Sequence, residues 1–459
     1  MGNTNRSTTP QSSAFQEQIG KQWADREDVL PPEREAAKYA AKRRAALSAE
    51  FPGKRLVIGA GAEKTRSNDT TYPYRADSDF CWLTGWGSAS EPDAVLVLEP
   101  TATGHDATLY FRGPAGRDSD EFYANPAIGE FWIGPRPSLA QVAADLGLTT
   151  RDLGELDTKH TTEDDNPAEL RQQLSEIRLT KDEFEVAQMR IAIEATARGF
   201  SDIVRVLPQI AGNPRGERII EGAFASRARL EGNDVGYGTI AASGPHACIL
   251  HWVKNDGVVN NGDLVLIDAG VEVDSYYTAD ITRTLPVNGR FSPTQRKVYE
   301  AVLEAADAAF AIVKPGITFN EVHKTAMAVI ARKTAEWGFL PVTAEEALKP
   351  ENQHHRRYMV HGTSHHLGLD VHDCAEARRE MYMDGLVQPG MIFTIEPGLY
   401  FQPDDLTVPA EFRGIGVRIE DDILVTADGA ENLSRDIPRT VAEVESWLAP
   451  APRSARRKR

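Results

Sequence analysis

The sequence predicts an α/β (α+β) protein of two domains, and three observations carry that expectation. At 459 residues the chain is longer than one ordinary hydrophobic core serves. Short apolar runs bounded by turn formers alternate with stretches of helical spacing, once before residue 165 and again after residue 176. Between the two sets lies an acidic, proline-containing stretch, Glu163 to Pro167, of the kind that joins domains.

Composition sets the outer frame. Hydrophobic residues make up 41% and charged residues 26%, as in a soluble globular protein, and no run approaches the roughly 18 apolar residues that span a bilayer. A membrane partner is therefore not expected. The net charge of -17 argues against nucleic acid, whose phosphates call for a basic face. It suits substrates with a free ammonium group, although acidic surfaces also simply keep proteins in solution. Cys81, Cys248 and Cys374 are odd in number and lack CxxC spacing, which fits free thiols in a reducing compartment. The polar, Ser/Thr-rich start lacks the apolar core of a secretory signal, and Arg6 stands where a myristoylation motif needs Ser or Thr. The expected location is the cytoplasm.

In chain order, residues 1–32 read as a polar arm ending at Pro31-Pro32. The amino-terminal α/β domain, 33–165, opens with an Ala-rich charged helix from Glu33 to Glu50. Strand-like runs follow at Leu56–Ile58, Ala94–Leu98 and Thr108–Phe111. Gly59-Ala60-Gly61-Ala62-Glu63-Lys64 starts like a dinucleotide fingerprint, but the third glycine is missing, so it reads as a strand-to-loop turn.

The second domain, 176–448, begins with Thr180 and Glu183 spaced as a capping box, followed by Phe184, Ala187, Ile191 and Ala195 at helical spacing. In Leu264–Gly270 a buried-strand run meets a carboxylate, Asp268; a second run, Tyr276–Leu285, carries Asp280, with turn formers Asp274 and Ser275 between. A hairpin centred on Asp274 would set the two aspartates directly opposite, with Cβ atoms about 4.5–5.5 Å apart. Carboxylates that close repel, and a bound cation is the usual remedy; the plain alternative makes one of them a turn or cap residue.

Six of the eleven histidines fall between His354 and His372. His361-Gly362-Thr363-Ser364-His365 is not a zincin HExxH, since no glutamate follows His361 and glycine interrupts any helix. His354, His355 and His366 read as structural. Met391–Ile395 is strand-like and closes on Glu396-Pro397-Gly398, a costly end for an apolar strand unless a cation meets the glutamate. In Gly414–Glu420, Ile415, Val417 and Ile419 face one way and Arg418 and Glu420 the other; alone, the last two suit a surface Arg–Glu pair. The chain ends in a Pro- and Arg-rich tail, 450–459, expected to be disordered.

Jointly these segments resemble the pita-bread metallopeptidases, the superfamily of methionine aminopeptidase, prolidase and aminopeptidase P. The likeness covers about residues 176–448. His361–Asp373, Ile395-Glu396-Pro397-Gly398-Leu399-Tyr400 and Gly416–Asp422 are similar to its proline-specific branch. In the first domain, Tyr72–Phe80 with Leu83-Thr84-Gly85 resembles the creatinase/prolidase-like, three-layer domain of aminopeptidase P.

The resemblance implies two divalent metal ions: Asp268 on one, Asp280 and Glu420 bridging, and His365 with Glu396 on the second. It implies that His251, His361 and His372 contact substrate or the tetrahedral intermediate, that Arg418 backs the ligands or meets substrate, and that Glu396 shuttles a proton. The oxygen-rich set favours manganese. The substrates implied are peptides with a penultimate proline, and the assembly a homo-oligomer, tetramer or dimer. Asp268 and Asp280 lie twelve apart, one residue more than in methionine aminopeptidases and prolidases, so the hairpin should differ in shape. A prolidase restricted to Xaa-Pro dipeptides would use the same ligands. A non-catalytic pita-bread module or a metal-independent creatinase-like hydrolase fits poorly, because all five ligands are present.

Overall fold

The computed structural model describes residues 8–157 and 168–449. The expected linker Glu163–Pro167 and the tail 450–459 lie outside the described residues. The chain divides into two compact units, Met1–Leu174 and Ser175–Arg459.

In the first unit, Val95–Thr101 and Gly104–Phe111 form a hairpin, Leu56–Gly59 pairs antiparallel with the former, and Thr149–Asp152 runs parallel to the latter. The helix Glu35–Glu50 buries Ala36, Ala37, Ala40 and Leu47, small residues that allow close packing. The Tyr72–Gly85 motif is built around the helix Ser78–Thr84. Asp77 accepts the N–H groups of Asp79 and Phe80 at 3.0 and 3.3 Å, and Gly85 at φ 72° ends the helix in the left-handed conformation that favours glycine. The arm is more ordered than its polarity suggests. Among its described residues, Ser13–Ile19 is a helix, Trp23 meets Phe122 edge-on at 5.8 Å, and Arg26 pairs with buried Glu130 at 2.7 Å.

In the second unit two helix pairs, Glu183–Ile210 with Gly216–Glu231 and Pro293–Ala311 with Phe319–Glu336, flank short, mostly buried strands. Leu264–Ala269 lies between Ile240–Ser243 and Ile281–Pro286; Asp421–Val425 lies between Ile392–Ile395 and Ala430–Asn432; Gly398–Tyr400 pairs with Gly416–Arg418. The three sheets meet where Glu420 N–H donates to Thr282 O at 3.1 Å and Thr284 Oγ1 to Arg418 O at 2.9 Å.

Two expectations for the first long helix are corrected. Its N-cap is Asp182, in a reciprocal box with Glu185, rather than Thr180 with Glu183. Its expected apolar stripe is only half buried: Phe184 and Ala195 are in the core, whereas Ile191 is 46% exposed and Ala187 is exposed, and Met189, Ile193, Thr196 and Phe200 complete the buried face.

The junction of the sheets is locked by Arg283, which is fully buried. It donates to the carbonyls of Thr282, Glu420, Ile437 and Pro438 and pairs with Asp421 at 2.7 Å. Arg283→Ala strands Asp421 and several carbonyls, so an expected loss of about 3–5 kcal/mol should appear in denaturant unfolding of the second unit. A loss below about 1 kcal/mol would contradict this assignment.

Candidate metal centre

The strand ends of the second unit deliver carboxylates to one cavity of about 750 Å³. Asp268, Asp280, His365, Glu396 and Glu420 line it together with His251, His361, His372, Arg418 and Tyr237. Asp268 sits within a strand, Asp280 immediately before one, Glu396 immediately after one, and Glu420 immediately before one. At these ends the ladder lapses and a side chain can turn inward.

The hairpin register differs from the expected one. Asp268 is opposite Thr282, not Asp280, and the turn centres on Ser275. The physical reason lies in 271–280: Tyr276 takes a left-handed φ of 71°, and pairing in this stretch is reduced to a bridge between Glu272 and Thr278. The shift is by two residues, so parity holds and the two aspartates remain on one face as diagonal neighbours. Tyr237 OH reaches both, 2.6 Å from Asp268 Oδ1 and 2.5 Å from Asp280 Oδ1.

Asp280, His365 and Glu420 present ligand atoms all within 4.8 Å of one another. His365 Nε2 is 3.3 Å from Asp280 Oδ2 and 3.5 Å from Glu396 Oε1, which brings the fourth carboxylate to the group. His365 Nδ1 lies 3.2 Å from the carbonyl of His366, so a proton there leaves Nε2 free to ligate. Thr282 Oγ1 donates to Glu420 Oε2 at 2.6 Å and accepts from Arg418 Nε at 3.0 Å. Arg418 also pairs with Asp268 through Nη2. Arg418 and Glu420 are both buried, which removes the surface-pair reading.

Electrostatics argues that this group is incomplete without cations. Burial, reinforced by the neighbouring carboxylates, raises Glu420 well above the ordinary range; burial also raises Asp280, and it lifts Glu396 to about 7. Burial would lower His365, but Asp280 and Glu396 outweigh it and bring it to about 9. Behind the ligands, buried Asp422 accepts the Asp280 N–H at 3.2 Å through Oδ2, while its Oδ1 has no hydrogen-bond partner. Four clustered carboxylates with the His365 imidazole, and no cysteine lining the cavity, suit divalent metal ions.

The histidines separate by depth. His361 is pushed down to about 3 by burial and then by the Arg418 guanidinium; its Nε2 is 2.8 Å from Tyr400 OH and its Nδ1 3.5 Å from Glu396 Oε2. His372 stands edge-on to His365 at 4.4 Å, and His251 is exposed at the mouth. His355 and His366 are buried elsewhere, the latter stacked on Phe319 at 4.6 Å, and neither they nor His354 line the cavity.

Sequence reasoning missed Tyr237, Thr282 and a role for Tyr400, whose hydroxyl links His361 to Arg418 Nη1 at 3.2 Å. Strand pairing offers a signal for Thr282 and the family-like Glu-Pro-Gly-Leu-Tyr block one for Tyr400. For Tyr237 the only cue is an aromatic hydroxyl between two glycines.

A family model described as metallopeptidase family M24 matches residues 187–427, and one described as the aminopeptidase P amino-terminal domain matches residues 40–164. The chain is 50% identical to Xaa-Pro aminopeptidase 1 of Streptomyces coelicolor over 464 residues, covering 95% of this chain and 92% of that protein. It is 33% identical to the Xaa-Pro aminopeptidase of Escherichia coli over 444 residues, 89% of this chain and 97% of the other. Among solved structures, the Pseudomonas aeruginosa aminopeptidase PepP superposes with a TM-score of 0.79 at 33% identity, over 91% of this chain and 99% of that one. A zinc-substituted E. coli aminopeptidase P in complex with product superposes at 0.77 and 32% identity, over 91% and 98%. With an aminopeptidase P amino-terminal domain joined to a pita-bread metallopeptidase domain, this chain belongs to metallopeptidase family M24 and, within it, to the Xaa-Pro aminopeptidases.

Proposed function

We propose that the chain is an aminopeptidase that hydrolyses the bond between an amino-terminal residue and a penultimate proline, using a pair of divalent metal ions. The observation that carries this reading is the convergence of four carboxylates and His365 in a cavity ringed by His251, His361 and His372, in a chain half identical to proteins named Xaa-Pro aminopeptidases. Asp268 would hold one ion, His365 and Glu396 the other, with Asp280 and Glu420 shared. Charge balance supports two: four carboxylates and the Arg418 guanidinium leave three negative charges, and two divalent ions leave room for one anionic ligand. Manganese is the metal this oxygen-rich set favours.

Bound cations supply a water of lowered pKa and polarise the scissile carbonyl. The chain's residues do the rest. Arg418 and Thr282 fix which oxygens of Asp268 and Glu420 face inward. Glu396, 3.5 Å from both His361 and His365, is placed to take a proton from the attacking water and deliver it to the proline nitrogen, a secondary amine that must leave protonated. His361 is kept neutral, so it can share a proton with the developing oxyanion without bringing a full charge. His251 and His372, at the cavity wall, are placed to meet the peptide.

Among the described residues no helix is long and apolar enough to cross a membrane; a cytoplasmic location and a tetrameric or dimeric assembly complete the proposal. The test is release of the first residue from Xaa-Pro-Yaa and from Xaa-Pro by the manganese-reconstituted protein. Turnover of the tripeptide is expected. Cleavage of the dipeptide alone would reassign the chain as a prolidase, and cleavage of neither would overturn the reading.

A further inference from the structure

The loop that carries His251 is held to the fold by a carboxylate outside the metal centre. Glu217, the second residue of the helix Gly216–Glu231, is fully buried and accepts four hydrogen bonds. Its Oε1 accepts from Ser243 N and faces His246 Nδ1, each at 2.8 Å; its Oε2 accepts from Trp252 Nε1 at 2.8 Å and Gly257 N at 2.7 Å. The indole of Trp252 stacks on His246 with ring centroids 3.8 Å apart. Residue 257 must be small, because a Cβ there would lie 2.7 Å from the Glu217 carboxylate.

The first part of the loop is also tied to residues 401–402, where Cys248 Sγ donates to Phe401 O at 3.2 Å and Gln402 Nε2 donates to Cys248 O at 2.9 Å, while the part from His251 onward is more open. His251, Val253, Lys254, Asp256 and Val258 are exposed. In that part a second side-chain anchor is buried Asn255, which accepts from Ala241 N at 3.0 Å and donates to Thr239 O at 2.8 Å. Both anchors tie the loop to the strand Ile240–Ser243, whose Ile240 is the register partner of Asp268. Leu250, His251 and Val253 reach the cavity from this loop. The carboxylate thus sets how far the His251 backbone stands from the sheet that carries the first ligand.

We propose that Glu217 is a positioning residue for the reaction: it clamps the 243–257 loop so that His251 meets the substrate. The proposal rests on the aminopeptidase reading above. Glu217→Gln keeps the shape but turns an NH2 toward two of the four donors, and a buried donor left facing a donor is strongly disfavoured. The metal ligands lie on other elements.

The experiment is a double-mutant cycle with His251→Ala, together with hydrogen exchange of the full-length protein. Glu217→Gln is expected to lower kcat/KM on Xaa-Pro-Yaa by about ten- to a hundred-fold, the scale of a misplaced contact, and by less than about two-fold when His251 is already alanine. Exchange of the 243–257 amides should quicken by about ten-fold or more. Trp252→Phe, which removes one donor and keeps the ring over His246, should give smaller changes in the same direction and serves if Glu217→Gln fails to fold. Equal losses with and without His251, or unchanged exchange, would overturn the proposal. Should the wild-type protein release nothing from Xaa-Pro peptides, that failure falls on the aminopeptidase reading, and the exchange arm still decides whether Glu217 clamps the loop.

Discussion

Glu396→Gln is expected to lower kcat on Xaa-Pro-Yaa by about 10²–10⁴-fold, the range for removing a general acid–base group, with a much smaller change in KM. The amide retains a carbonyl oxygen that can still ligate, 3.5 Å from His365 Nε2 in the parent geometry, so the metal content should largely survive. What is lost is a group able to hold a proton. Asp268 and Glu420 are engaged by Arg418 and Thr282, whereas Glu396 has looser contacts, at 3.5 Å each, with Thr394 Oγ1, His361 Nδ1 and His365 Nε2. Elemental analysis alongside single-turnover kinetics separates the effects. A loss under ten-fold with metals retained would assign the proton transfer to another group, His361 being the nearest.

How much of this was legible in the chain follows from range. Glu396 could be read because it closes an apolar strand, a local contradiction that only a cation or a partner resolves, whereas Glu420 alone suited a surface pair with Arg418 and took its meaning from the family resemblance. Asp268 and Asp280 could be read as neighbours because parity in a hairpin survives a shift of two, although their register could not: the left-handed backbone at Tyr276 is a tertiary imposition on a residue that does not favour it. Tyr237 was illegible, since one hydroxyl in an irregular stretch acquires meaning only when the sheet brings two aspartates to it. Glu217 was hidden for the same reason, its four donors arriving from residues 243 to 257. The helix Glu183–Ile210 was placed but only half of its buried stripe, Phe184 and Ala195, was, because apolar residues populate two adjacent stripes and only packing chooses between them.

Thorough chelation is expected to abolish turnover and to make stability strongly pH-dependent, more so than in the metal-loaded protein. In the metal-free state Glu396 is lifted from 4.5 to about 7, so between those values the folded chain binds more protons than the unfolded one, and stability falls as pH rises. For this group alone the step corresponds to roughly 3 kcal/mol. His365, raised from 6.5 to about 9, acts in the same direction: its contribution is complete below 6.5 and is lost as pH climbs through 9. His361, depressed from 6.5 to about 3, works oppositely but only below 6.5, where it gives stability that grows with pH. Above 6.5 the first two therefore govern, and the melting temperature of the chelated protein should fall from pH 6.5 to 9. Metal ions replace the protons that these carboxylates retain, so binding releases protons and strengthens with pH. The stabilisation on adding manganese should accordingly grow over the same interval, read by thermal unfolding of chelated and reconstituted samples side by side. A manganese-induced shift that is constant or shrinks with pH would mean that the clustered carboxylates are not where the cations bind.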